Sequence, residues 1–474
     1  MENQTKCNIS YRRIRIDKKK PPKTALKIKC LFTFSGFQEM LHVDKVDSLQ
    51  TEKVNIRASG LVEWSCYTFI LRLHYDRGTY ASFCVARSDS LGCIDLSRDA
   101  PIRGTYTEVD QMGLFISIEP TQSIRPGHFF KTYDPKTYYY TLQLLDDSKK
   151  IIDEIHLKKH WKHPLVEQIN VEQNGLYGTL FKPPGKGPFP AVIFIPGSNG
   201  MLESGYAAVL ASEGFLTFTF AYFAYKKDLP KLIPDVDIEF FEKPIEYVQN
   251  SPYCSGKIGL VGQSFGGLTA NYLSTKYHQV SAVVALNCSA AFCRDNAVMK
   301  ENGKPMETQI LDEGMSDFVN QVLRQKPAFR DLYSNLTPTT SIPWARAPKN
   351  TAYRIVQCYD DMLVDAVPSI INICGNLRKT GHHVESELVP GGHFLYFPYF
   401  PHHGIIYNAQ INMLWGFGGE CYQHSKSQET TWKKNVEFFK KHLGDVKRIP
   451  EWKRESTVTL PVSTKSSKSL QCKL

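Results

Sequence analysis

Gly262-Gln263-Ser264-Phe265-Gly266 reads G-x-S-x-G, and its flanks give it weight. Before it, Lys257-Ile258-Gly259-Leu260-Val261 is an apolar run of strand length; after it, Gly267-Leu268-Thr269-Ala270-Asn271-Tyr272-Leu273 can continue as a helix. Strand, tight turn and helix form the setting of a nucleophile elbow, in which a strained backbone lifts a serine Oγ out of the sheet. Gly262 and Gly266 leave room for strand and helix to approach where a side chain would block them. The stretch therefore predicts an α/β hydrolase sheet with Ser264 as nucleophile.

A serine hydroxyl is a poor nucleophile near neutral pH and needs a base, itself oriented by a carboxylate. In this architecture the acid and the histidine follow the serine in that order, each just beyond a strand. The strand-like Tyr353 to Cys358 ends in Tyr359-Asp360-Asp361, and Glu385 to Val389 ends in Pro390-Gly391-Gly392-His393. His393 is the expected base. Either aspartate can be the acid, with Asp361 preferred over Asp360. The oxyanion of the tetrahedral intermediate needs two donors. The Phe265 N–H is the first, and Ser198 or Asn199, in the loop after the strand Ala191 to Ile195, is expected as the second. The pairs His382-His383 and His402-His403 read as surface residues. No H-E-x-x-H or Cys/His spacing appears, so no metal and no cofactor is implied.

Outward from the elbow, strands and helices alternate. Gly175 to Phe181 reads as an edge strand. Strands are expected at Phe215 to Phe220 and Ala282 to Leu286, and helices at Leu202 to Ser212 and about Asp237 to Gln249. This is a mostly parallel sheet flanked by helices, over residues 163–448. Residues 44–162 carry strand-like segments (Val54 to Ala58, Thr68 to Tyr75, Leu114 to Glu119, Thr137 to Leu144) without a long helical pattern. They predict an all-β, immunoglobulin-like sandwich. Residues 290–350 read as an irregular insertion. Residues 1–43 are basic, with Lys18-Lys19-Lys20-Pro21-Pro22-Lys23, and read as a flexible extension; residues 449–474 read as a disordered basic tail.

Hydrophobic residues make up 42% and charged residues 22% of the 474, the balance of a globular protein. The net charge of +10 is partly concentrated at the two ends, and no basic stripe interleaved with aromatics points to nucleic acid. No apolar run reaches the ~18 residues of a membrane span, so no stable membrane insertion is expected. The N-terminal stretch lacks the apolar segment of a secretory signal, and the 12 cysteines show no pairing spacing, so reduced thiols are expected. No oligomer is implied.

Further stretches resemble the acyl-coenzyme A thioesterase / bile acid-CoA:amino acid N-acyltransferase family over about residues 44–445. They are Gly104 to Phe115, Gly175 to Pro190, Ala221-Tyr222-Phe223-Ala224-Tyr225 with Asp228-Leu229-Pro230-Lys231, Glu239-Phe240-Phe241-Glu242, Pro398-Tyr399-Phe400-Pro401 and Trp415 to Glu420. The resemblance implies a Ser264, Asp361, His393 triad and an acyl-CoA substrate. It also implies hydrolysis rather than transfer, because the conjugating branch typically carries cysteine as nucleophile. An N-acyltransferase, or a carboxylesterase of the same fold, is the alternative. The chain departs from the family at Phe265, where lysine is frequent, and at Ser198-Asn199, where glycines are. Cys472-Lys473-Leu474 fits the small-basic-leucine address read by the peroxisomal import receptor. Peroxisome is thus the expected location, with cytoplasm or mitochondrion as alternatives.

Overall fold

The computed structural model describes residues 40–130, 133–294, 298–408 and 412–461, all within one compact unit that begins at Glu39. Most of the N-terminal extension and the Cys472-Lys473-Leu474 motif lie outside these residues.

The C-terminal half is built on an eight-stranded sheet. Its strands are β1 (Glu167–Gln173), β2 (Leu176–Lys182), β3 (Phe189–Ile195), β4 (Leu216–Ala221), β5 (Cys254–Gln263), β6 (Val280–Leu286), β7 (Ala352–Cys358) and β8 (Val384–Val389). Their spatial order is 1-2-4-3-5-6-7-8, antiparallel at β1/β2 and β2/β4 and parallel elsewhere. This is an α/β hydrolase sheet with the G-x-S-x-G turn leaving its fifth strand. The central strands are buried on both faces, which explains their unbroken apolar runs. Val192 and Phe194 pack into one core with Val261, Val284, Val356 and Phe439. Ala191, Ile193 and Ile195 point the other way, into a core with Leu260, Val283 and Ile355. Five helices flank the sheet: α1 (Gly205–Ala211), α2 (Glu242–Gln249), α3 (Phe265–Lys276), α4 (Ala366–Lys379) and α5 (Cys421–Leu443).

Several sequence expectations are corrected. Gly175 to Phe181 is not the edge: β1 lies outside it, joined by the Asn174-Gly175 turn, whose φ values of 52° and 72° suit a tight hairpin. The polar β1, mostly exposed as an edge strand can be, lacks an apolar pattern to betray it. Leu114 to Glu119 is not a strand. Gly113–Ile116 is one helical turn, its four residues all buried.

The preceding region has one sheet of Leu41–Val43, Ile56–Ala58 and Ile94–Asp95. A larger sheet is centred on Cys66–Tyr75, Gly78–Arg87, Thr137–Leu145 and Ile151–His160. Leu41–Val43 pairs with Ile56–Ala58, so ordered structure begins before residue 44. The expected tail is also shorter. Arg454 makes a two-pronged ion pair with Glu52 at 2.7 and 2.8 Å, and the Glu455 carboxylate meets Lys158 at 2.8 Å, which ties residues 449–461 to the β region.

Aromatic contacts join the β region to the C-terminal half. Trp161 packs on Phe397 at 4.9 Å, Phe130 on Phe400 at 5.8 Å and Phe129 on Phe394 at 5.0 Å between ring centres. Gln50 Nε2 donates to the carbonyls of Pro398 and Tyr399 at 3.0 and 2.9 Å. All these partners lie in the segment that follows His393.

Candidate active site

Ser264 sits between β5 and α3 with φ 58° and ψ −128°, a left-handed conformation that a non-glycine residue adopts only under constraint. Its N–H donates to Leu286 O at 2.8 Å, while its carbonyl accepts from Gly267 and Leu268 N–H at 3.0 and 3.1 Å. The elbow closes because both glycines lack a side chain. A Cβ on Gly266 would stand 2.7 Å from Pro196 O and closer still to Ile195 O, and one on Gly262 would meet the Gly266 carbonyl and, at 2.7 Å, Gly267 N.

The ends of β5 to β8 lie side by side through the register Gln263↔Leu286, Leu286↔Val356 and Cys358↔Val389. Ser264, Asp361 and His393 therefore leave the sheet from one edge. His393 Nδ1 lies 2.7 Å from Asp361 Oδ2, with both side chains buried. Asp361 Oδ1 accepts from the N–H groups of Leu363 and Val364 at 2.7 and 3.0 Å, which fixes the carboxylate from its other oxygen. Asp360 is exposed and its Oδ2 accepts from Gly391 N–H at 3.2 Å, so it faces the histidine loop rather than the imidazole. Geometry thus favours Asp361 of the two. Among the described residues, the His393 ring hydrogen-bonds to Asp361 and makes no direct hydrogen bond with Ser264 Oγ.

The loop expected to bind the oxyanion, residues 196–200, follows β3. A Cβ on Gly197 would stand 3.9 Å from Ser264 Cβ, so this loop lies against the elbow. Tyr222 Oη donates to Gly197 O at 2.6 Å and Gly200 N–H closes the turn onto Gly197 O at 3.1 Å. Phe265 opens α3, where the first N–H groups have no partner within the helix, so its N–H is available to an oxyanion. Ser198 and Asn199 are both exposed. The Asn199 amide donates to the buried Glu203 carboxylate, which also accepts from Tyr396. That leaves Ser198 and the loop backbone freer to serve as donors than the Asn199 side chain. Burial pushes the Glu203 carboxyl up to about 7 against these two donors.

Three residues that hold the site were not singled out by the sequence. Asn287, just past β6 at φ 45°, donates through Nδ2 to Gly392 O and His393 O at 3.1 and 2.8 Å, and its Oδ1 accepts from Cys358 N–H at 2.6 Å. Gln263 Nε2 donates to His393 O. His424, on α5, contacts the same loop. An asparagine at a strand end that tolerates positive φ was the one usable signal.

The paired histidines divide. His383 and His402 are partly or fully open, but His382 and His403 are buried, correcting the surface reading. His382 packs edge-on against Tyr353, and His403 Nε2 accepts from Phe130 N–H at 3.2 Å. Among the described residues, one trio, His383, Glu385 and His442, has metal-ligand spacing; it lies by the outer strand β8, with Glu385 already paired to Lys441 at 3.0 Å. No helix among them is long and apolar enough to cross a membrane.

Residues 236–445 match the family model for the C-terminal region of BAAT / acyl-CoA thioester hydrolases, and residues 51–173 match the model for the N-terminal region of acyl-CoA thioester hydrolase/BAAT proteins. The chain is 29% identical over 411 residues to acyl-coenzyme A thioesterase 1 of Rattus norvegicus, covering 83% of this chain and 94% of that one. It is 28% identical over 414 residues to a peroxisomal succinyl-coenzyme A thioesterase of Mus musculus, with 83% and 94% covered. It is 27% identical over 412 residues to acyl-coenzyme A amino acid N-acyltransferase 1 of Mus musculus, with 84% and 96% covered. Among solved structures, an esterase of Pyrococcus furiosus aligns with TM-score 0.37 and 16% identity, over 59% of this chain and 93% of that one.

Proposed function

Because the chain belongs to the BAAT / acyl-CoA thioester hydrolase family, we propose that it hydrolyses acyl-CoA thioesters to the free acid and coenzyme A, with Ser264 as nucleophile. The observation that carries this reading is the buried Asp361–His393 contact of 2.7 Å at the sheet edge that also bears the strained Ser264. In this reading His393 Nε2 takes the Ser264 proton as Oγ attacks the thioester carbon. The Phe265 N–H and the 196–200 loop receive the oxyanion, and as the tetrahedral intermediate collapses the C–S bond breaks and coenzyme A leaves as the thiol, taking the proton that His393 holds. A water deprotonated by His393 then attacks the acyl-serine, and Ser264 recovers its proton from the imidazolium. Asp361 holds the imidazole in the Nδ1–H tautomer and stabilises its charge.

The N-acyltransferase named among the relatives supports a second reading, in which glycine or taurine replaces water. The serine at 264 favours water. Free-thiol release from a panel of acyl-CoAs, from succinyl to long-chain, with and without amino-acid acceptors, separates the two. Thiol release that does not depend on acceptor supports hydrolysis. Release only with acceptor supports transfer, and release from simple esters but from no acyl-CoA supports the carboxylesterase.

We further read the two-sheet region up to about residue 162 as an immunoglobulin-like sandwich and residues 163–448 as the catalytic domain. For location we propose the peroxisome, on the Cys472-Lys473-Leu474 motif and a relative named peroxisomal; other relatives are named mitochondrial. A fluorescent fusion that leaves the C-terminus free tests this: loss of peroxisomal signal on deleting the last three residues supports it, and unchanged distribution opposes it.

A further inference from the structure

The backbone around His393 is pinned from several elements. His393 N–H donates to Phe417 O at 2.7 Å, and His393 O receives Asn287 and Gln263. The residues on either side of His393 are held by one side chain. Gly392 N–H donates to His424 Nδ1 at 3.0 Å, and His424 Nε2 lies 2.9 Å from Phe394 O. An amide N–H can only donate and a carbonyl can only accept, so the two contacts require Nδ1 bare and Nε2 protonated. The ring is thus fixed as one neutral tautomer. It is 1% exposed, and burial, with the His402 ring 4.9 Å away, holds its pKa down to about 3. Gly391 approaches so closely, at φ 133°, that a Cβ would stand 2.7 Å from His424 Nδ1. The chain has been threaded past the imidazole at the step before it delivers His393.

Packing alone does not call for this residue. An apolar ring would fill the same volume without desolvating two nitrogens. What the imidazole adds is a donor and an acceptor held at fixed separation, and these meet the peptide groups that flank the expected base.

We infer that His424 is a positioning residue that clamps the Gly392–Phe394 backbone, so that His393 Nδ1 stays on Asp361 while Nε2 faces Ser264. The inference rests on the proposed role of His393 as base. In that role the imidazole receives the serine proton, passes it on, and repeats the exchange with water, and each transfer requires the ring within hydrogen-bond reach. The clamp sets that reach from α5, a helix that contributes no reacting atom.

The test uses the full chain with His424→Asn, His424→Gln and His424→Phe. Asparagine places its oxygen near the Nδ1 position and keeps the acceptor for Gly392. Glutamine places its amide near Nε2 and keeps the donor for Phe394, while phenylalanine keeps only the volume. Two readouts are taken: the rate at which a fluorophosphonate labels Ser264, and kcat and KM for acyl-CoA hydrolysis. The account expects labelling and kcat to fall about 10-fold in the single-contact variants and about 100-fold in His424→Phe, with KM nearly unchanged. A folded His424→Phe that labels as fast as wild type overturns the inference, as does a loss confined to KM or thermal stability. If His424→Phe does not fold, the Asn and Gln variants decide by the same criteria. Abolished labelling in Ser264→Ala reports on the nucleophile alone; the ratio of the His424 variants to wild type reports on the clamp.

Discussion

Gly266→Ala should lower activity about 100-fold, while Gly375→Ala, also inside a helix, leaves it unchanged. At 266 the new methyl would stand 2.7 Å from Pro196 O and nearer to Ile195 O, both backbone atoms of the β3 end. Ordinary contact needs about 3.5 Å, so strand and elbow must separate by about 1 Å. In the proposed mechanism the Phe265 N–H and the 196–200 loop converge on one oxyanion across this gap, and a misplacement of this size would remove about 100-fold in rate. The stability loss expected from overpacking is about 1–3 kcal/mol. Gly375 lies inside α4 with nothing within 4 Å of its Cβ position, so alanine there should add about 0.5–1 kcal/mol through helix propensity and leave turnover unchanged. Thioester hydrolysis and chemical denaturation on both variants give the comparison. A Gly266→Ala protein with more than half of wild-type kcat would refute the claim that the 262–266 turn is built around a close backbone approach.

Asp361→Asn should lower kcat by about 10³–10⁴-fold by stabilising the wrong imidazole tautomer, whereas Asp360→Asn, which loses only part of the Gly391 contact, should cost less than about 10-fold; equal losses would contradict the assignment. Glu203 has its carboxyl raised from 4.5 to about 7 by burial. The folded protein therefore binds more protons than the unfolded chain between those values, and stability declines as pH rises through this window, by roughly 3 kcal/mol in all. Glu203→Gln should flatten that part of the stability–pH curve measured by urea denaturation, and an unchanged slope would show that Glu203 is not its source. Arg454→Ala should reduce stability by about 1 kcal/mol through the lost two-pronged pair with Glu52, without altering kcat; a neutral result would mean residues 449–461 rest on the β region without holding it.

The elbow was legible because its neighbours repeat the logic of the whole sheet. An apolar run, two glycines and a helix former each agree with a buried parallel strand that turns sharply. The chain order of Ser264, Asp361 and His393 followed from the same topology. What the sequence did not disclose depends on contacts between distant segments. Glu167–Gln173 is polar enough to pass for a loop until β2 pairs with it. Gly113–Ile116 has the apolar residues of a strand and forms a helical turn whose four residues are all buried. Asp360 and Asp361 are equivalent as letters, and only the direction of the turn after β7 separates them. His424 carries no motif at all, since its partners are backbone groups of Gly392 and Phe394, and backbone groups leave no trace in composition.

The central claim is that an acyl group passes through Ser264. The most direct measurement is mass spectrometry of protein quenched during turnover of an acyl-CoA, with Ser264→Ala run alongside. The account predicts an acyl mass on the peptide containing Ser264 in the wild-type protein, and neither adduct nor thiol release in the variant. An adduct on another residue, or continued thiol release by Ser264→Ala, would contradict it.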